Sequence, residues 1–248
     1  MRPIVLVTGG SRGIGAATAA LAAERGYDVA VNYKEDRTAA EQVANDAERR
    51  GGRAIVVQGD VSVEADVCRM FAEVDSRLGV LAALVNNAGI LDRQTRVEEM
   101  SAARLGRIFA TNITGAFLCA REAVRRMSTA RGGRGGAIVN VSSGASRLGS
   151  PGEYVDYAAS KGAIDTMTIG LSREVALEGI RVNAVRPGFI YTGIHATGGE
   201  PNRVDRVKEF VPMKRGGHAD EVARAILWLL SDDASYSTGT FIDVTGGK

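Results

Sequence analysis

A chain of 248 residues with 45% apolar content is long enough to bury a substantial core, which excludes a disordered or low-complexity polymer. Its 31 basic and 29 acidic side chains leave a net charge of +2, too small and too dispersed to argue for a nucleic acid or an anionic membrane as partner. Cys68 and Cys119 lack metal-ligand spacing and are expected as buried, reduced thiols. His195 and His218 have no Cys or His companions and are expected on surface loops, which argues against a zinc site. "MRPIVLVTGG" lacks the features of a signal peptide. Runs such as "AILWLL" at 225–230 fall well short of the roughly 20 apolar residues that span a bilayer. The expectation is therefore one globular domain over 1–248, cytoplasmic and not membrane-bound.

The first strand, "IVLVT" at 4–8, runs directly into "GGSRGIG" and then a helix-forming stretch, "AATAALAAER". That is the setting a dinucleotide-binding glycine loop requires. Gly9 permits the tight turn, Gly13 lets backbone amides approach a pyrophosphate, and Gly15 lets the helix pack closely on the strand. Ser11, Arg12 and Ile14 are the loop residues between them. A glycine pattern alone is weak, since turns use glycine for many reasons.

"DVAVNY" at 28–33 is the second strand, ending in Asn32, Tyr33 and then Lys34. A fold of this kind that uses NAD commonly places an acid there to accept hydrogen bonds from the adenosine ribose. Here Arg12 and Lys34 together suit a ribose 2′-phosphate, so NADP(H) is preferred. Asp36 lies close enough to leave NAD(H) open. "AIVVQ" at 54–58 leads to Asp60 and Val61, where Asp60 either holds the adenine edge or begins the next helix.

Ser62 is read as the amino-terminal cap of a helix whose apolar stripe is Val67, Met70, Phe71, Val74 and Leu78. "ALVNN" at 83–87 is a fourth strand, and its sequel Asn87, Ala88 and Gly89 is small enough for a cofactor to lie against the backbone. Asn112 sits in "TNITG", a helical region where an Asn beside β-branched residues is mildly unfavourable. "RGGRGG" at 131–136 is read as a connecting loop. "AIVNVSS" at 137–143 is a fifth strand ending in Ser142 and Ser143.

Tyr157 and Lys161 follow four residues apart on one helical face. Tyr154 has no such partner and reads as either a pocket-lining or a loop-packing residue. "RVNAV" at 181–185 is a sixth strand, followed by Pro187, Gly188, Ile190 and Thr192 in "RPGFIYTGI". The less regular segment 189–218 is long for an α/β connection and is the place to look for substrate selectivity. A stripe of Val222, Ala225, Ile226 and Leu229 and a seventh strand, "FIDV" at 241–244, complete the alternation. Strands that are apolar on successive residues, alternating with helices, predict an α/β doubly wound Rossmann-like sheet of about seven parallel strands with helices on both faces.

TGGSRGIG, NNAG, SS, YxxxK and RPG, in this order and at these separations over essentially the whole chain, resemble the short-chain dehydrogenase/reductase family. The nearest likeness is to bacterial glucose/ribitol dehydrogenases and 3-oxoacyl-carrier-protein reductases. The resemblance implies hydride transfer between a nicotinamide and a small carbonyl or secondary alcohol of sugar, polyol or 3-oxoacyl type. In it Tyr157 is the acid/base, and Ser143, the serine nearer the loop, bonds the substrate oxygen. Asn112 holds a proton-relay water through its backbone. Lys161 grips the nicotinamide ribose, Pro187, Gly188, Ile190 and Thr192 contact the cofactor, and the carboxyl-terminal strand belongs to a homotetramer interface.

Lys161, together with the positively charged nicotinamide ring, is also expected to depress the Tyr157 phenol. A fall of two or three units takes roughly 3 to 4 kcal/mol. An acyl-carrier partner calls for a basic patch, for which Arg125, Arg126, Arg131 and Arg134 are the candidates. A dinucleotide-sensing protein without turnover is the rival reading, and the intact Asn112, Ser143, Tyr157, Lys161 set argues against it.

Overall fold

The structure, a computed structural model, describes residues 2–248. Seven strands, β1 (Ile4–Val7), β2 (Asp28–Tyr33), β3 (Ala54–Gln58), β4 (Leu81–Asn86), β5 (Gly136–Val141), β6 (Ile180–Pro187) and β7 (Phe241–Val244), form one sheet ordered β3-β2-β1-β4-β5-β6-β7. Every neighbouring pair is parallel. The helices are α1 (Gly13–Glu24), α2 (Arg37–Arg49), α3 (Glu64–Arg77), α4 (Ala102–Phe109), α5 (Gly115–Met127), α6 (Ala145–Leu148), α7 (Val155–Glu174), α8 (Ile194–Thr197), α9 (Arg203–Val207) and α10 (Ala219–Leu230).

The unbroken apolar runs reflect two covered faces. Val5, Val7, Val29 and Val31 point to the layer of α1, α2 and α10, where Ala19, Ala40 and Ile226 meet them. Ile4, Leu6, Ala30 and Leu84 point to the opposite layer, against Met70, Phe71 and Val74 of α3 and Ala123 of α5. Alternate residues of one strand thus serve two cores, so a polar substitution at either set buries an unpaired group.

The order reverses between β1 and β4, opening a crevice at the carboxyl ends of those two strands. The β1 end is tied to the β4 end. The Thr8 hydroxyl accepts from Asn87 N at 2.9 Å and Ala88 N at 3.0 Å, and Asn87 Nδ2 donates to the Thr8 carbonyl at 2.8 Å.

Some expectations change. Ser62 does not cap α3, which begins after Val63; its hydroxyl instead donates to Asp60 Oδ1 at 2.7 Å. Cys119 is buried, and burial pushes its thiol up to about 12, whereas Cys68 is exposed on the outer face of α3. His218 precedes α10 on the surface, but His195 is half-buried in α8 with Nε2 3.1 Å from the Ile190 carbonyl. The 189–218 segment is more ordered than its sequence suggested, holding α8, α9 and a 3-10 turn at Lys208–Phe210. Among the described residues no helix is long and apolar enough to cross a membrane.

Candidate active site

The glycine loop lies at the β1 end of the crevice. Gly9 and Gly13 have φ of +60° and +56°, a left-handed conformation that glycine adopts without strain. A Cβ at Gly15 would stand 2.5 Å from the Gly9 carbonyl and 2.6 Å from Asn87 Nδ2. The amino terminus of α1, at Gly13, directs unpaired amides and the positive end of the helix dipole out of this turn. Thr192 faces Gly13, with Cγ2 3.4 Å from where its Cβ would be, so the loop after β6 meets the first glycine turn.

Residues at the β2 end divide by environment. Asn32 is buried and occupied within the protein: its Oδ1 accepts from Gly9 N at 3.0 Å, and its Nδ2 donates to the Val57 and Gly59 carbonyls at 3.2 and 3.0 Å. Its role here is to hold the glycine turn onto β2 and β3. Tyr33 is also buried. Arg12 and Lys34 are exposed, and Lys34 Nζ pairs with Asp60 Oδ2 at 2.9 Å. Asp36 caps α2, accepting from Ala39 N at 2.9 Å. Val61 packs against Gly115, where a Cβ would meet its Cγ2 at 2.8 Å.

Asn112 lies in a π-helical segment, Ala110–Thr114, inserted between α4 and α5. The wider turn aims its side chain at the loop after β4. Oδ1 accepts from Ile90 N at 2.8 Å, and Nδ2 donates to the Ile90 carbonyl at 2.9 Å and to Ser160 Oγ at 3.0 Å. Gly89 is thereby fixed next to the chemistry: a Cβ on it would stand 3.4 Å from Lys161 Nζ and 3.6 Å from Asn112 Oδ1.

Ser143 and Tyr157 come together across the end of β5 and the start of α7, where crowding pushes the phenol above its usual range and the Ser143 hydroxyl beside it pulls the other way. Ser142 points elsewhere, donating to Asp165 Oδ1 at 2.6 Å. Lys161 is 4% exposed, and its Nζ donates to the Val141 carbonyl at 2.7 Å. Lys161 is not among the groups that lower the Tyr157 phenol here. The ammonium lies 5.6 Å from the ring centroid and is turned toward β5, and burial lowers Lys161 itself to about 8.

Two supports were not foreseen. Asp156 and Arg104 form a buried pair at 2.7 Å, and Asp156 Oδ1 also accepts from Tyr157 N at 2.9 Å. Thr8 ties the two crevice strands together, as described above. Tyr154 is 4% exposed and covered by the Arg203 guanidinium, 5.0 Å from its ring centroid. Arg203 is itself held by Glu153 and Glu200, so Tyr154 packs the 189–218 segment onto the start of α7. Pro187 and Ile190 are buried, and Gly188 lies against Thr245, with Cα only 2.8 Å from where its Cβ would be.

A family profile described as "Enoyl-(Acyl carrier protein) reductase" matches residues 9–248. The chain is 66% identical over 245 residues to an uncharacterized oxidoreductase of Escherichia coli, YgfF, with 99% of each chain covered. It is 37% identical over 247 residues to the 3-oxoacyl-[acyl-carrier-protein] reductase FabG of Staphylococcus aureus, covering 100% of this chain and 98% of that one. The crystal structure of a short-chain type dehydrogenase/reductase from Mycobacterium marinum superposes with a TM-score of 0.92 at 32% identity, covering 99% of this chain and 94% of that one. The parallel sheet, the glycine turn at its switch point and these likenesses agree: the chain belongs to the short-chain dehydrogenase/reductase family and is an NAD(P)-dependent dehydrogenase/reductase.

Proposed function

We propose that the protein is an NADP(H)-dependent reductase of a small carbonyl compound, with Tyr157 as the proton donor. The observation that carries this reading is the meeting of Ser143 and Tyr157 above a buried Lys161, beside the open backbone of Gly89. The glycine turn, the α1 amino terminus and the flat edge at Gly89 fit a dinucleotide lying along the crevice. When bound, the nicotinamide supplies the hydride to the carbonyl carbon or accepts it in the reverse direction.

The chain's own residues handle the oxygen. Ser143 donates a hydrogen bond to the substrate oxygen and orients it toward the phenol. Tyr157 Oη transfers its proton to that oxygen as charge develops there, and recovers it from the alcohol in the reverse reaction. A tyrosine phenol, with an ordinary pKa of about 10, is protonated near neutrality, which is the form reduction requires. Lys161 commits one of its three N–H donors to Val141 and has two left for the ribose hydroxyls.

Arg12 makes no ion pair among the described residues, so its guanidinium is available to a ribose 2′-phosphate, with Lys34 beside Asp60 as the second cation. Asp36, the acid that left NAD(H) open, is engaged as a helix cap, which supports the NADP(H) preference. A small substrate is favoured over an acyl-carrier thioester because two of the four arginines considered for a carrier, Arg125 and Arg126, are already paired with acids of the same face, Arg125 with Glu122 and Arg126 with Glu122 and Asp75. Strand β7 is the open edge of the sheet, and we read it as the contact of a homotetramer.

The test is to incubate purified protein with NADPH and a panel of sugars, diketones, hydroxyketones and 3-oxoacyl thioesters while following NADPH absorbance. Oxidation with a small carbonyl supports the reading. NADPH binding without turnover across the panel replaces it with a sensor.

A further inference from the structure

Arg104 joins α4 to the first turn of α7 through Asp156. Its Nε donates to Asp156 Oδ2 at 2.7 Å and its Nη2 to Oδ1 at 3.3 Å, and the two side chains are only 9% and 0% exposed. The remaining arm, Nη1, donates to the Arg93 carbonyl at 2.6 Å. One planar guanidinium therefore holds both the helix that carries Tyr157 and the loop that follows β4. That loop lies against the 189–218 segment: a Cβ at Gly198 would stand 2.5 Å from Leu91 Cδ1, and Gln94 Nε2 donates to Glu200 Oε2 at 2.6 Å.

Tyr157 sits in the first turn of α7, where backbone amides find no carbonyl of their own helix to meet. Asp156 Oδ1 accepts from Tyr157 N at 2.9 Å and fills that gap. On the other side of the residue, the Tyr157 carbonyl accepts from Ser160 Oγ at 2.7 Å, and Ser160 in turn accepts from Asn112 Nδ2 at 3.0 Å. The tyrosine backbone is thus anchored twice to the helical stretch from α4 to α5, once through Arg104 and once through Asn112. The same two residues fix the loop after β4, at Arg93 and at Ile90. A buried ion pair gains little stability over well-packed apolar residues of similar volume, whereas a bidentate fork fixes direction as well as distance.

We propose that Arg104 is a positioning residue for the reaction: through Asp156 it sets where the Tyr157 phenol stands, and through the Arg93 carbonyl it holds loop 90–96 in place beside that phenol. The proposal rests on the reading that Tyr157 is the proton donor. Arg104 is consumed by these bonds and acts only through the tyrosine backbone and the loop. A displacement of about 1 Å at the phenol costs up to about 10²-fold in rate.

The test separates placement from stability. The double variant Arg104→Met/Asp156→Leu removes both charges, so no unpaired charge is left buried and the fold is retained. The chain has six tyrosines, and in protein labelled with fluorotyrosine the Tyr157→Phe variant assigns the Tyr157 resonance. Tyr27, just before β2 at the opposite end of the sheet, is the internal reference. With NADPH bound, the double variant melts close to wild type and its Tyr157 resonance moves while that of Tyr27 does not. On unlabelled protein, kcat falls by roughly 10–10²-fold and the NADPH dissociation constant stays as in wild type. A pair that only fastens α4 to α7 gives a double variant that regains wild-type kcat along with its melting temperature. An unmoved Tyr157 resonance or a wild-type kcat in the folded double variant overturns the proposal. If the double variant does not fold, Arg104→Lys decides: it keeps a cation opposite Asp156 but not the planar fork that also reaches Arg93. The same displaced resonance and lower kcat are then expected, and wild-type values overturn the proposal. Failure of the underlying reading is separately visible, because Tyr157→Phe then turns over normally, whatever the fluorine spectra show.

Discussion

Replacing Asn112 with Ala removes three side-chain hydrogen bonds at once. Its amide accepts from Ile90 N at 2.8 Å and donates to the Ile90 carbonyl at 2.9 Å and to Ser160 Oγ at 3.0 Å. The two bonds to Ile90 are partly shielded and the bond to Ser160 is buried. At roughly 1 kcal/mol each, with some further cost for the buried group left without its donor, the loss comes to about 3–4 kcal/mol. For a chain of 248 residues, at about 2–4 °C per kcal/mol, the melting midpoint falls by about 6–16 °C. Turnover falls as well, because Ile90 holds the neighbouring Gly89 beside Lys161. Thermal unfolding followed by circular dichroism at one protein concentration measures the first effect. A midpoint within about 2 °C of wild type refutes the reasoning, since it means the π-helical segment and the loop stay in place without these bonds.

Arg12→Ala weakens NADPH far more than NADH in titrations of protein fluorescence, because only NADPH carries the 2′-phosphate; equal losses remove the argument for that cation. Gly15→Ala lowers NADPH affinity at least about ten-fold and reduces stability, because the new Cβ falls 2.5 Å from the Gly9 carbonyl; unchanged affinity shows that the turn yields freely. Arg206 first, and then Arg203, hold Glu200 down at about 2 against an unfolded value of about 4.3. A depressed carboxylate stabilises above its unfolded pKa and loses that contribution as pH falls through its folded one. Protection against hydrogen exchange in 189–218, measured relative to the intrinsic amide rate at each pH, therefore falls as pH drops from about 4.3 toward 2, and Glu200→Gln removes that dependence. Identical profiles in the two proteins contradict this role of the Glu200 ion pairs.

The strands were legible because a parallel sheet covered on both sides demands apolar residues without alternation. For DVAVNY, AIVVQ and FIDV even the ends agree, at Asp28–Tyr33, Ala54–Gln58 and Phe241–Val244. The glycine turn was legible for a related reason, since φ near +60° and close backbone approach leave glycine little competition. What stayed hidden was which partner a polar residue takes. Asn32 looks like a ribose-facing residue, yet it is consumed by amides and carbonyls of β3 and the glycine turn, 23 to 27 positions away.

Asn112 looks misplaced in a helix until the π-helical segment turns it onto Ile90, a widening that no apolar period announces. Ser62 has the chemistry of a cap, but Asp60 binds its hydroxyl and the helix starts later. The Tyr157–Lys161 spacing correctly brought the two residues to one face, whereas the direction of the ammonium depended on the Val141 carbonyl, which only the assembled sheet supplies.

The central claim is that Tyr157 moves the proton. The direct measurement compares wild type with Tyr157→Phe, using NADPH and the best carbonyl from the panel, with the NADPH dissociation constant determined on the same samples. Turnover is expected to fall by roughly 10²–10⁴-fold while NADPH binds as in wild type. A Tyr157→Phe protein that keeps near wild-type turnover contradicts the account.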